Sequence, residues 1–231
     1  MQGIESIDIF ATKGVEYLIV IGYLLVLVGF WRLLGSPARH EVEAGAAARP
    51  ARKPALWFET PEGVYFHQGH TWATPEDGDL VKVGMDDFAR RLLGTPGGLG
   101  LPTVGARLSQ GERGWAVDVE AESIPMLSPV TGEVVAVNDA VLGSPQLAAD
   151  PYGEGWFLKV RVPNRGAVLK NLLSGRLARA WMADTVEKLR AMPAGELGTV
   201  LPDGGVPVDG FARVLAPEQW AEVAREFLLS E

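Results

Sequence analysis

The sequence contains no cysteine among its 231 residues and only three histidines. The absence of cysteine excludes disulfides, iron–sulfur ligation, thiolate zinc sites and thiol nucleophiles together. Three histidines supply no recognisable series of nucleophile, base and acid, so we do not expect an enzyme. His67 and His70 are three residues apart in a strand-like segment, which puts them on opposite faces, and we predict no metal site.

The chain also lacks an excess of basic residues. Its 29 acidic side chains outnumber the 21 basic ones, which gives a formal net charge of −8 and an isoelectric point near 5.0. A chain of this charge offers no electrostatic attraction to nucleic acid. We predict neither a nucleic-acid partner nor a small-molecule substrate. The hydrophobic content of 47% is that of a folded chain with a core.

Charge is nearly missing from residues 14–35, where only Glu16 and Arg32 are charged, both near the ends. An apolar helix of this length spans a bilayer of about 30 Å, so we predict a transmembrane helix after an N-terminal segment, residues 1–13. The alternatives are a buried core helix and a cleaved signal peptide, although the latter requires a more basic start. Tyr17 and Trp31 stand where an interfacial aromatic belt would lie.

Basic residues are distributed unevenly around this segment. Lys13 precedes it, whereas five basic residues lie at its end or follow it, namely Arg32, Arg39, Arg49, Arg52 and Lys53. Because basic flanks stay on the cytoplasmic side, we predict a single-pass protein of the inner, cytoplasmic membrane with its soluble domain in the cytoplasm. Residues 36–56, rich in Ala, Pro and charge, are predicted to be a linker.

Short runs of β-branched and aromatic residues fill the chain from residue 57 to residue 162. Strands at this spacing, separated by Gly, Pro, Asp or Asn, are typical of an all-β sandwich or barrel. One short helix is predicted between them, with Asp86 or Asp87 as its N-cap and Gly94 at its end.

Three stretches carry a resemblance to a known family: "HTWATPEDGDLVKVGMDDFARRLLG" at 70–94, "SPVTGEVVAVN" at 128–138 and "DPYGEGW" at 150–156. They resemble the H protein of the glycine cleavage system. The resemblance implies a mainly β domain with α additions over residues 57–190, a hybrid barrel-sandwich of the lipoyl type with C-terminal helices. In that family a hairpin lysine carries amide-linked lipoic acid, which moves an aminomethyl group or electrons between partner enzymes.

The lipoyl lysine of that family has no counterpart in this sequence. The family pattern places it seven residues before Ser128, which gives Ala121, and no lysine occurs between Lys82 and Lys159. An alanine methyl group has no amine with which to form the amide. The resemblance therefore implies lipoate as the cofactor of the family, whereas this sequence predicts no cofactor at all.

Acidic residues surround Ala121. Asp118, Glu120 and Glu122 alternate, so a continuing strand would project all three from one face, with neighbours about 7 Å apart. One interpretation is a solvated face. The other is a docking surface for a basic partner. Catalytic carboxylates would need a cleft that the sequence does not indicate.

Two helices are predicted toward the C-terminus. The first has a core-facing side at Ala178, Met182, Val186 and Leu189. The second belongs to a C-terminal extension, residues 191–231, where Trp220 and Phe227 lie on one apolar side of an amphipathic helix. That side packs either on its own barrel or on a partner or membrane surface, and we assign Trp220 and Phe227 to partner docking.

These features predict a membrane-anchored, non-lipoylated, H-protein-like subunit that serves as a structural or docking component of a membrane-bound complex. Such a complex could include redox enzymes, by analogy with the family. Its predicted partners are subunits of that membrane-protein complex and the lipid bilayer. The alternative is a lipoyl-type carrier of a glycine cleavage-like system, which shuttles an aminomethyl or acyl group on another residue.

Overall fold

A computed structural model describes residues 9–35, 57–191 and 207–230, with the side chains of the first range described from 17 to 31. The chain divides into two compact units, Met1–Arg52 and Lys53–Glu231. The predicted linker over residues 36–56 lies outside the described residues.

The first unit contains helix α1, Ile9–Gly35, of 27 residues. Its described side chains are mostly apolar, and they are exposed from Tyr17 to Trp31. Within the described part of the chain, no helix is both long enough and apolar enough to cross a membrane. The transmembrane helix over residues 14–35 stays a prediction.

The second unit is mainly β, as predicted. Its described residues form ten strands: β1 (Tyr65–His67), β2 (Thr71–Pro75), β3 (Leu80–Met85), β4 (Gly98–Gly100), β5 (Arg107–Leu108), β6 (Arg113–Val119), β7 (Glu122–Leu127), β8 (Gly132–Val137), β9 (Leu158–Arg161) and β10 (Leu173–Ser174). One sheet has the order β10-β1-β2-β3-β9-β8-β5, and a second has the order β4-β6-β7. All of the pairings are antiparallel.

Helices are added around these sheets. They are α2 (Asp87–Leu93), α3 (Asp139–Gly143), a 3-10 turn (Pro145–Ala149), α4 (Arg165–Lys170), α5 (Gly175–Arg190), α6 (Phe211–Leu215) and α7 (Trp220–Leu228). The predicted limits of α2 are confirmed. The side chain of Asp86 accepts a hydrogen bond from the Ala89 amide at 2.8 Å, and Gly94 ends the helix at φ 80°.

The motif at 150–156 connects the barrel to α2. The Tyr152 hydroxyl donates to the Glu59 carbonyl at 2.8 Å and accepts from the Asp87 amide at 3.2 Å. Burial raises the pKa of Tyr152, because the phenolate would lose hydration there. The side chain therefore stays neutral and holds the loop against the N-terminus of α2.

The core lies between the two sheets and continues under the helices. Trp115, Val117 and Ile124 line it from the smaller sheet, and Val81 and Val160 from the larger one. The predicted core-facing side of α5 is confirmed, since all four of its residues, Ala178, Met182, Val186 and Leu189, are buried.

The segment 207–230 belongs to the same core. Phe211, Leu215, Ala224 and Leu228 are buried with the barrel residues, and Trp220 is only 8% exposed. Burying a large apolar side chain contributes about 1.5–3 kcal/mol. The structure therefore corrects the assignment of Trp220 to partner docking, because this side chain packs in its own domain.

Candidate functional site: the hairpin of β6 and β7

The tip of the β6–β7 hairpin is formed by Glu120 and Ala121. The ladder pairs Asp118 with Ser123 and Val119 with Glu122, so the chain reverses across these two residues. Both are exposed, and Glu120 adopts a positive φ of 56°. A positive φ is uncommon outside glycine, and here it closes the reverse turn.

The turn separates the three carboxylates that the sequence placed on one face. Residues directly opposite in an antiparallel pair lie on the same face of the sheet. Glu122 therefore shares the face of Val119, which is 2% exposed, whereas Asp118 lies on the other face with Ser123. The prediction of one acidic face is wrong, because the strand ends at Val119 instead of continuing.

Each of the three carboxylates has a partner within the chain. Arg225 of α7 donates to Glu122, with Nη2 and Oε2 2.9 Å apart. Arg213 of α6 lies near Glu120, with Nε and Oε1 3.7 Å apart. The Ser123 hydroxyl donates to Oδ1 of Asp118 at 2.6 Å. Three carboxylates against two guanidinium groups leave one net negative charge at the tip.

The segment 207–230 thus reaches the hairpin as well as the core. The Arg213 guanidinium also lies over the ring of Trp220, 5.6 Å from its centroid. The second predicted docking residue of this segment, Phe227, is half-buried and packs against Phe88 of α2, with ring centroids 5.4 Å apart. Packing on its own barrel, one of the two alternatives for this helix, therefore accounts for both aromatic residues.

The two lysines that flank the hairpin in sequence lie elsewhere. Lys82 and Lys159 pair across β3 and β9 in the larger sheet, and both bind Glu76, with N–O distances of 3.3 and 2.9 Å. Both ammonium groups lie over the ring of Trp156. Burial raises the pKa of Glu76, but hydrogen bonds and positive charge from the lysines outweigh it and lower this pKa below its ordinary value.

His67 and His70 take part in packing and hydrogen bonding. Nδ1 of His67 accepts from the Gly69 amide at 3.1 Å, and Nδ1 of His70 lies 2.8 Å from Oδ2 of Asp86. Burial lowers the pKa of His67, and the nearby His70 lowers it further. Among the residues described, no group of three or more His, Asp or Glu converges on a point that could hold a metal ion.

Two antiparallel sheets around one core, the β6–β7 hairpin and packed C-terminal helices define a mainly β domain of the lipoyl type. A family model for the glycine cleavage H-protein matches residues 64–185. The glycine cleavage system H protein of Mycobacterium avium is 39% identical over 111 residues, 48% of this chain and 84% of that protein. A probable H protein of Natronomonas pharaonis is 42% identical over 105 residues, 45% of this chain and 82% of that protein.

A crystal structure of an H protein from Mycobacterium marinum covers 54% of this chain and 98% of its own, with 27% identity and a TM-score of 0.47. From the family match and the sequence relatives, we conclude that the chain belongs to the glycine cleavage H-protein family. Helix α1 and the segment 207–230 both lie outside the matched residues.

The hairpin tip does not fit the lipoyl group of the family. Lipoate is attached through an amide, which requires a primary amine at the tip. The exposed residues there are a carboxylate, Glu120, and a methyl group, Ala121. The nearest lysines in sequence, Lys82 and Lys159, are engaged with Glu76 in the other sheet.

Sequence reasoning missed Arg213 and Arg225. Both arginines are ordinary polar positions on amphipathic helices, and each meets a carboxylate about 100 residues away in the chain, Glu120 or Glu122. The only sequence signal was the match between three carboxylates at the tip and cations in the extension. That match does not specify which residues pair.

Proposed function

We propose that this protein is a non-catalytic, non-lipoylated member of the H-protein family that serves as a docking subunit of a membrane-bound complex. The observation that carries the proposal is the hairpin tip, which presents Glu120 and Ala121 in place of an amine. A carrier needs a covalent attachment point, and the tip supplies none.

The contacts around the tip support the same reading. A swinging arm works from a hairpin that stands clear of its own domain. Here Arg213 and Arg225 of the segment 207–230 pair with Glu120 and Glu122 of the hairpin, and the apolar residues of that segment are buried in the core. The hairpin and α7 consequently form one composite surface, which is suited to static contact with another protein.

The distribution of charge on this surface determines which partner surfaces are electrostatically complementary to it. With Glu120 and Glu122 paired within the chain, the net negative charge is small. A partner therefore approaches a mixed surface of carboxylates and guanidinium groups, and specificity comes from matching both signs. This charge pattern replaces the purely acidic docking surface expected from sequence.

Membrane attachment is the second part of the proposal, and the amino-acid sequence of residues 14–35 supports it. A helix of 27 residues is about 40 Å long at 1.5 Å per residue, more than the roughly 30 Å of a bilayer core. The basic residues after the span support a cytoplasmic position for the domain, since basic flanks tend to stay on that side of the inner membrane. Tethering raises the effective concentration of the domain near membrane partners.

Co-purification tests the docking role. The full chain, tagged and extracted from its native host in mild detergent, is expected to retain subunits of one membrane complex. The triple variant Asp118→Asn, Glu120→Gln, Glu122→Gln should recover at least about tenfold less partner. The matched control is Asp139→Asn, Glu154→Gln, Glu187→Gln, which removes three exposed carboxylates away from the hairpin. Equal recovery by both variants would count against the hairpin as the docking surface.

Membrane fractionation tests the anchor. The full chain should remain with membranes after an alkaline wash. Aspartates at Leu24 and Val26 cost about 2.5–3.5 kcal/mol each near the middle of a span, so Leu24→Asp with Val26→Asp should release the protein. Leu24→Ala with Val26→Ala is the control that keeps the helix apolar. A wild-type protein found in the wash would contradict membrane anchoring.

A further inference from the structure

A cavity of about 430 Å³ lies between the β1–β2 turn, α5 and α7. Its lining includes Gln68, His70, Trp181, Lys188, Glu226 and Phe227. Ligand sites commonly have volumes of about 300–1,000 Å³ and combine apolar walls with a few polar groups. Because α7 forms one wall, the cavity requires the segment outside the family match.

His70 is the most constrained residue of this lining. It is 2% exposed and holds a positive φ of 57°. Its ring stacks on Phe88 at 4.0 Å and packs against Trp181 at 4.7 Å between centroids. A buried polar side chain held in an unfavourable backbone conformation is typical of positions that a binding site fixes in place.

The hydrogen bond to Asp86 occupies one ring nitrogen of His70 and leaves the other for a molecule in the cavity. Oδ1 of Asp86 already caps α2, and Oδ2 lies 2.8 Å from Nδ1 of His70. Because the carboxylate accepts, Nδ1 carries a proton, and in the tautomer that is protonated at Nδ1 alone Nε2 has a free lone pair. The described residues give Nε2 no hydrogen-bond partner, so it is an acceptor available to a bound molecule.

Two opposite charges complete the lining. Lys188 is on α5 and Glu226 is on α7, and both side chains are exposed where the cavity opens. They do not form an ion pair within 4.0 Å in the part of the chain that the structure describes. A bound molecule that carries one negative and one positive charge would pair with both of these side chains.

We propose that this cavity binds a small zwitterion of the amino-acid type with an aromatic or large apolar side chain. Glu226 and Nε2 of His70 supply acceptors for an ammonium group. Lys188 and the amide of Gln68 supply donors for a carboxylate. Trp181 and Phe227 provide apolar faces for the side chain. This inference concerns a different site from the hairpin and does not depend on the absence of lipoate.

Titration calorimetry on the full chain in detergent tests the proposal with three probes. L-phenylalanine carries both charges, 3-phenylpropanoate lacks the ammonium and 2-phenylethylamine lacks the carboxylate. We expect L-phenylalanine to bind in the millimolar range or tighter and each single-charge probe at least about tenfold more weakly. Equal binding of either single-charge probe, or no binding of L-phenylalanine, would overturn the proposal.

Two substitutions at the exposed rim assign the charges without disturbing the core. Lys188→Gln and Glu226→Gln should each weaken L-phenylalanine binding at least about fivefold. Lys188→Gln should weaken the binding of 3-phenylpropanoate and leave the binding of 2-phenylethylamine unchanged. Glu226→Gln should weaken the binding of 2-phenylethylamine and leave the binding of 3-phenylpropanoate unchanged. Lys170→Gln and Glu222→Gln remove exposed charges outside the lining and should bind like the wild type. Unchanged affinity in both rim variants would contradict the assigned cavity.

Discussion

Residues 64–185 and residues 207–230 bury side chains in the same core, but they are held there differently. The first region is organised by antiparallel ladders, and the family model recognises it. The second has no strand, and its described residues attach through apolar side chains around α2 and through arginines at the hairpin. A segment outside the family match can thus pack deeply in the core and also reach the hairpin tip through partly exposed ion pairs.

Removing the apolar attachment of residues 207–230 should cost the most stability. Trp220→Ala should lower the free energy of unfolding by about 3–5 kcal/mol, because it leaves a cavity at a side chain that is 8% exposed. Thermal and urea unfolding followed by circular dichroism measure the loss. Leu177→Ala, at a position 68% exposed on α5, should change stability by less than about 0.5 kcal/mol. A loss below about 1 kcal/mol for Trp220→Ala would show that the segment is only loosely attached.

Asp86→Ala tests how the barrel holds the N-terminus of α2. The substitution removes the N-cap of α2 and the acceptor for buried His70, so we expect a loss of about 2–3 kcal/mol in urea unfolding. Asp86→Asn retains a capping oxygen and should recover part of that loss. Asp139→Ala, an exposed acidic residue in α3, is the control and should be nearly neutral. Equal stability of Asp86→Ala and the control would contradict the structural role of this carboxylate.

A smaller effect is expected at the lysine pair of the larger sheet. The pKa of Glu76 is lower in the folded state, so its ionised form stabilises the fold above the unfolded value of 4.5. This contribution is lost as the pH falls through the folded pKa. Glu76→Gln should therefore cost up to about 1 kcal/mol at neutral pH, since the cluster is partly exposed.

The difference between wild type and Glu76→Gln should shrink in urea unfolding as the pH is lowered through the folded-state pKa of the Glu76 carboxyl, because protonation removes the charge that the lysines stabilise. Glu112→Gln, at an exposed position with no ion pair among the described residues, is the control. A difference that persists unchanged at low pH would indicate a packing role for Glu76 in place of an electrostatic one.

The smallest effect is expected at the hairpin. A double-mutant cycle with Glu122→Gln and Arg225→Gln should give a coupling of about 0.2–1 kcal/mol, because both groups are partly exposed. The coupling should shrink in about 1 M salt, where the Debye length is near 3 Å. A coupling above about 2 kcal/mol would mean that the ion pairs, and not the apolar contacts, hold the segment to the hairpin.

Local chemistry made much of the barrel predictable. Short runs of β-branched and aromatic residues between turn residues predicted its strands, and a cap at Asp86 or Asp87 with Gly94 at the end predicted the limits of α2. The apolar spacing of α5 predicted which side is buried. In each case the signal lies within a few residues of the feature that it determines.

The arrangement at the hairpin depended on distant residues and was not predictable in the same way. Glu120 adopts a positive φ in the turn, although neither glycine nor asparagine is present there. No residue type in the sequence therefore predicts this turn. The pairing of Glu122 with Arg225 joins residues 103 positions apart. Trp220 shows the same limit, because an amphipathic pattern predicts that a face is buried without specifying what buries it.

The intact mass of the protein purified from the membranes of its native host shows whether the chain carries a lipoyl group. An unmodified hairpin predicts a mass that lacks any lipoyl group, with the peptide containing Ala121 recovered unmodified. A lipoyl adduct on any residue of the wild-type chain would contradict the account and identify the protein as a carrier.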